Sequence, residues 1–366
     1  MKIKSKGFTL VELLITMAVL ILVLAASSNT FVSMLRQYRQ QSSISETNIS
    51  SITSLDSLRM DIESAGYGLP WVIPSEAPDY TEGTSAPESN YNDAPRNPPR
   101  PIQSDDNAGF NNSDILVIKS SNIRRDTYSN RWTYLTFAAP NIKSWDIAAQ
   151  NPAAGDYALI LSPGSNATNR RTLVVVGGTW KAFWNTISTF YPGERDPQPL
   201  VVYDLGNSAP AMPFHRADYY ILDPAAADPL KPKMQPDRCA PNTGELVKAV
   251  VTNDANGKRG DLVPVLDCVA DMQAVFRLDT DNDKKIDTVT GNISALTAQQ
   301  MRDQIREIRV YLLTHEGQMD RGFTYPASNI YVGESGIGQG HLFDLGTNLN
   351  YRWKIYTIAV NPQNMR

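Results

Sequence analysis

The 366-residue chain is 42% hydrophobic and 20% charged, enough apolar material for one large domain or two modest ones. A formal net charge of −4 argues against nucleic acid or an anionic membrane surface as the main partner. Three scattered histidines (His215, His315, His341) suggest no histidine-based metal cluster, and the cysteine pair, Cys239 and Cys268, is open to two readings. It fits a disulfide if the chain is exported, or two buried thiols if it is cytosolic.

Lys2, Lys4 and Lys6 precede an apolar run from Phe8 to Ala26. Its length is close to the roughly 20 residues a helix needs to cross a bilayer. The positive-inside rule puts the N-terminus in the cytoplasm and the bulk of the chain outside. A secretory signal cleaved near Ala25 or Ala26, or a simple uncleaved anchor, fits the apolar run but leaves Glu12 unexplained. A carboxylate at mid-membrane costs roughly 2.5–3.5 kcal/mol.

No glycine or proline occurs from Phe8 to Ala65. Beyond the apolar part, Phe31, Leu35 and Tyr38, then Ile52, Leu55, Leu58 and Ile62, follow the helical period, with Arg36, Arg39, Gln40 and Glu46 for the other face. Gly66, Gly68 and Pro70 should end the helix. The whole element would be about 85 Å long. A signal peptide does not normally continue into such a rod.

A buried carboxylate is tolerated when it meets a cation, and cleavage after Gly7 would create one, the α-amino group of Phe8. In a helical assembly Glu12 of one subunit would pair with the Phe8 amine of its neighbour. The run Lys6-Gly7-Phe8-Thr9-Leu10-Val11-Glu12-Leu13-Leu14 resembles the prepilin signature of type IV pilins and type II secretion pseudopilins. The resemblance implies that a prepilin peptidase cuts after Gly7 and methylates Phe8, and that Glu12 sets assembly and registry. Residues 1–7 are then a leader, 8–66 a long helix with 8–27 as membrane span and filament core, and 67–366 a β-rich head.

Residues 70–113, rich in Pro, Asn, Ser, Asp and Gly, read as a surface loop without its own core. Short β-branched or aromatic runs follow: "DILVIKS", "RWTYLTF", "DYALILS", "TLVVVGG", "PLVVYDL", "ADYYILD", "ELVKAVV", "MQAVFRL", "REIRVYLL" and "RWKIYTIAV". "TAQQMRDQI" is a helix with Thr297 as its cap. One long N-terminal helix on an antiparallel sheet with long loops makes the fold α+β.

Three stretches sharpen the resemblance: "SLRMDIESAGYG", "DLVPVLDCVADMQAVFRLDTDNDKKID", and "IREIRVYLLTHEG" followed by "YRWKIYTIAVNPQN". They are similar to the helix end, later core strand with its acidic turn, and closing strands of PilW-type minor pilins. That likeness covers the helix and much of the C-terminal third. It implies a type IV pilin fold and a low-abundance subunit that initiates the pilus near its tip, with other minor and major pilins and a tip adhesin as partners. The prepilin would sit in the inner membrane with its head in the periplasm, then move into an extracellular pilus. A minor pseudopilin of the GspJ-like kind, or a helix-anchored surface binding protein, are the alternatives.

Asp279, Asp281, Asp283 and Asp287 form a D-x-D-x-D-x-x-x-D pattern that can converge on Ca²⁺ if the chain turns around it, with the Lys285 carbonyl at position seven. Lys284 stands where an EF-hand has its turn glycine, and Thr290 where it has a bidentate Glu. The other reading is a solvated acidic turn softened by Lys284 and Lys285. "VGESGIGQGH" lacks the following helix and the Lys of a phosphate loop, and reads as a flexible turn. "RNPPRP" reads as a stiff loop, and Trp132, Trp180, Trp184 and Trp353 as core or sheet-face aromatics. No Ser-His-Asp, Cys-His or HExxH arrangement stands out, which weighs against an enzyme.

Overall fold

The computed structural model describes residues 9–164, 169–225 and 236–365. Helix α1 (Leu10–Glu63) runs without a break for 54 residues, about 81 Å at 1.5 Å per residue. It stops just before Gly66 and Gly68, whose φ of 86° and 67° lie in the left-handed region that glycine enters without a Cβ clash.

The span Leu10–Leu35 has a mean hydropathy of 2.6, and none of it is buried. The head covers α1 only from Leu55 onward, where Leu55, Leu58, Asp61, Ile62 and the following Ala65 are buried. Ile52, placed on the same inward stripe by its spacing, is exposed, as are Phe31, Leu35 and Tyr38. The period is helical throughout, but the rod projects beyond the head before it reaches those residues.

The larger sheet has eight strands, antiparallel throughout. Its order is β1 (Ile102–Asp105), β2 (Ile115–Ser120), β8 (His215–Leu222), β9 (Gly244–Val251), β10 (Arg259–Leu278), β12 (Ile305–Glu316) and β15 (Arg352–Val360), with β11 (Thr288–Thr290) paired to β10. Strand β10 pairs with β9 over its first half and with β12 over its second. The register slips near Pro264, which has no N–H to donate, and again around Cys268, whose φ of 56° marks a bulge.

Alternate residues of β10 serve opposite faces. Met272 and Phe276 pack with Leu58 and Ile62 of α1. Val275 faces the other way, into a cluster with Leu313, Val332, Phe343 and Trp353. That cluster is closed by the hairpin β13 (Asn329–Glu334) and β14 (Gln339–Asp344). "VGESGIGQGH" is therefore the tip of a paired hairpin rather than a free turn. Gly333 and Gly340 sit opposite each other there, and a Cβ on Gly333 would lie 2.4 Å from the Gln339 carbonyl oxygen.

A second antiparallel sheet is built from β3 (Trp132–Leu135), β7 (Leu200–Gly206), β4 (Tyr157–Ser162) and β5 (Thr172–Leu173), with β6 (Ala182–Phe183) on β4. "TLVVVGG" contributes only its first two residues as strand, because Gly177 and Gly178, at φ 58° and 77°, turn the chain. Helix α2 (Ala298–Gln304) begins as expected at Thr297, in a capping box with Gln300. Trp180 and Trp353 are core residues and Trp132 is partly exposed on a sheet face.

The expectation of a coreless loop over 70–113 is wrong. The segment contains β1 and buries Ala77, Tyr80, Tyr91 and Ile102, together with Glu82, Glu88 and Asp93. Its fixing force is electrostatic and comes from the sheet. Lys119 of β2, fully buried, lies 2.7 Å from Glu82 and 2.6 Å from Asp93. Arg216 of β8 bonds Asp218 at 2.8 Å and approaches Glu82 at 3.6 Å, while Arg259 reaches Asp218 and Glu88. Arg100, from the "RNPPRP" stretch, closes on Asp93 at 2.6 Å. Four carboxylates thus face four cations, the condition for burying so much charge. Burial alone would raise the Asp93 carboxyl, but Lys119 and Arg100 hold it below its usual value.

Cys239 and Cys268 are joined in a disulfide, with their α-carbons 4.9 Å apart. It ties the turn before β9 to the bulge of β10, closing a 29-residue separation. Loop-closure entropy for such a length is worth roughly 3–4 kcal/mol.

Candidate functional sites

The first site is the start of α1. Thr9 is the N-cap, and Glu12, three residues on, completes a capping box. The Glu12 carboxylate accepts from the Thr9 backbone N–H at 2.9 Å and from the Thr9 hydroxyl at 2.8 Å, while the Thr9 hydroxyl oxygen accepts from the Glu12 N–H at 3.3 Å. Glu12 thus has a partner within its own chain, which the argument from an intersubunit amine alone does not include. The signal was present in the sequence as Thr-x-x-Glu ahead of an apolar run. Gly7 and Phe8 lie outside the described residues.

The second site fixes the rod to the head. Asp61 of α1, 1% exposed, accepts from Lys248 Nζ at 2.6 Å, from Arg125 Nε at 2.5 Å and from the Tyr219 hydroxyl. Lys248 also donates to the Ile123 carbonyl at 2.6 Å, and Arg125 to the Ser57 carbonyl at 3.0 Å. Burial pushes the Lys248 amine below its ordinary value, with Asp61 pulling the other way. Burial, reinforced by Asp61, holds the Tyr219 hydroxyl well above its ordinary value and therefore protonated. Sequence reasoning missed this cluster because its members are 187 residues apart at the widest. The one hint was an aspartate on the buried stripe of an amphipathic helix.

The third site is the acidic loop after β10. Carboxylate oxygens of Asp279, Asp281 and Asp283 lie within 4.8 Å of one another. Lys284 adopts φ 72°, the left-handed conformation a glycine would take at that turn, so the loop curls despite the substitution. Its N–H donates to Asp279 Oδ2 at 3.0 Å. Asp279 is fully buried, and its Oδ1 has no hydrogen-bond partner among the described residues, an acceptor open to a cation. Two features differ from a four-aspartate shell. Arg306 bonds Asp279 Oδ2 at 2.8 Å through Nε, supplying positive charge to that carboxylate. Asp287 stands apart from the converging trio, accepting instead from the Thr280 N–H and hydroxyl at 2.8 and 2.9 Å.

Residues 2–28 match the family described as the prokaryotic N-terminal methylation motif. No curated protein and no solved structure is similar enough to this chain to count as a match. The methylation motif, the exposed apolar rod and the antiparallel head together describe a type IV pilin-like or pseudopilin-like precursor. Such a motif implies processing by prepilin peptidase and association with pilins.

Proposed function

We propose that the chain is a PilW-like minor pilin, cut after Gly7, methylated at Phe8, and used to initiate a type IV pilus near its tip. The observation that carries this reading is the apolar span Leu10–Leu35, left without cover by the chain's own head and overlapping the methylation motif of residues 2–28. A 26-residue span of that hydropathy needs either lipid or other apolar helices around it. A membrane-held prepilin that moves into a helical bundle meets both needs in turn. The large head with its inserted second sheet favours the minor pilin over a GspJ-like pseudopilin. Other minor and major pilins, and a tip adhesin, are the proposed partners. The precursor would lie in the inner membrane with its N-terminus cytoplasmic and its head periplasmic, and the assembled form would be extracellular.

Mass spectrometry of the mature protein tests the processing step, with a chain beginning at methylated Phe8 expected. A mature chain retaining residues 1–7 would overturn it. Deleting the gene separates the two filament readings. Loss of surface pili is expected, and loss of secreted exoproteins with pili intact would favour the pseudopilin.

We further propose that Asp279, Asp281 and Asp283 take up Ca²⁺. The support is the convergence of their carboxylates and the unpartnered Asp279 Oδ1.

A further inference from the structure

Trp71, just beyond the turn that ends α1, is surrounded by three arginines from different parts of the chain. The guanidinium carbons of Arg171, Arg302 and Arg170 lie 5.0, 4.9 and 5.9 Å from its ring centroid. Each is within cation–π range, but the three cations also repel one another. Among the described residues none of the three has a carboxylate within 4.0 Å, whereas the other buried cations of the head are matched by acids. Arg171 donates to the Gly66 and Asn364 carbonyls at 3.1 and 3.4 Å, which fixes it in place without neutralising it.

Burial pushes Arg302 down to about 10, with Asp303 opposing and Arg171 adding to the fall. Arg171 is lowered too, by burial and by Arg170. A protein interior that holds three unneutralised cations around one indole is arranged for an anion from outside.

Two cavities open on either side of Trp71. One, of about 530 Å³, is walled by Arg302 and Arg100 with Pro98, Leu296 and Ala298. The other, of about 290 Å³, is walled by Arg170 and Arg171 with Leu161 and Pro163. Asp93 also lines the first, but it is already paired with Lys119 and Arg100. Together they are far larger than a single oxyanion requires, and their apolar walls suit the body of a peptide. The planar guanidinium forks suit carboxylates.

We propose that this cleft binds an acidic peptide segment of a partner protein, its carboxylates received by Arg170, Arg171 and Arg302 on both sides of Trp71. The site stands on the head alone and does not depend on how the N-terminus is processed.

The test is calorimetric titration of the full chain in neutral detergent micelles at low salt. The probes are an acetylated, amidated tetraglutamate peptide, the matching tetraglutamine peptide, and inorganic phosphate at equal ionic strength. Saturable tetraglutamate binding is expected, with none for tetraglutamine and at least tenfold weaker binding for phosphate. The Arg170→Gln/Arg302→Gln double variant should bind tetraglutamate at least tenfold more weakly. Its melting temperature should equal or exceed that of the native chain, because neither side chain makes a bond that is lost and a repulsion is relieved. No saturable tetraglutamate binding, binding unchanged in the double variant, or phosphate binding as tightly as the peptide would each overturn the proposal.

Discussion

Asp61, near the end of α1, lies 2.6 Å from the Lys248 ammonium on β9, and this buried pair sets how the rod meets the sheet. Leu58 and Ile62 supply apolar area on either side, but apolar contact is non-directional, whereas a carboxylate shared by Lys248, Arg125 and Tyr219 accepts one rotation of the helix.

Removing the Asp61 carboxylate leaves Lys248 buried without its anion. Asp61→Ala is expected to destabilise the head by about 3–5 kcal/mol. The Asp61→Leu/Lys248→Met double variant should lose less than the sum of its single substitutions, since no buried charge is orphaned and Arg125 can turn to solvent. Denaturant melts of the four proteins of the cycle measure this. Simple additivity would show that the pair is not coupled.

Glu12 has two roles that two substitutions can part. Glu12→Ala removes the capping box and the charge, and should leave leader cleavage intact while blocking assembly. Glu12→Gln keeps a capping side chain at the third helical position and removes only the charge. If the carboxylate meets the Phe8 amine of a neighbour, both variants fail to enter pili. Normal incorporation of Glu12→Gln, read by immunoblotting sheared pili, would leave the helix cap as the residue's whole function.

The acidic loop gives two independent readouts. Lys284→Gly relieves a left-handed backbone at a non-glycine residue and should stabilise the loop by about 1 kcal/mol in chelator as well as in calcium. Millimolar Ca²⁺ should raise the melting temperature of the native chain, with Mg²⁺ substituting poorly because of its tighter octahedral demand. The Asp279→Asn/Asp281→Asn/Asp283→Asn variant should lose that shift. An equal shift in the triple variant would reduce the loop to a solvated turn.

Asp114, 1% exposed, provides a pH test of the core. Burial pushes its carboxyl up to about 7, against N–H bonds from Ala274 and Asn107 and with Asp106 and Asp271 adding to the rise. A folded-state value above the unfolded one means the native chain holds a proton the unfolded chain has released between about pH 4 and 7. This group's contribution to stability therefore falls as pH rises through that window, by on the order of 4 kcal/mol. Asp114→Asn gives up one good acceptor, so it should be less stable than the native protein at pH 5. That deficit should shrink or reverse by pH 8. A deficit of constant size would mean that Asp114 titrates normally.

The sequence by itself determined the rod and most of the strands. Fifty-four residues without glycine or proline leave the backbone no reason to break, and the signals at Gly66 and Gly68 lie within one turn of the observed end. β-branched and aromatic runs became strands because that preference is local. The Thr297 cap and the turning of the aspartate loop were legible for the same reason. Tertiary structure alone decided how far along α1 the head reaches, so Ile52 is exposed although it keeps the inward period. It also decided that residues 70–113 are ordered, since Glu82 and Asp93 look like loop acids until Lys119 and Arg216 are brought to them across the sheet. The Asp61 clamp and the three arginines around Trp71 belong to the same class. Their partners are remote in the chain, and charge acts through distance in space, which sequence spacing does not encode.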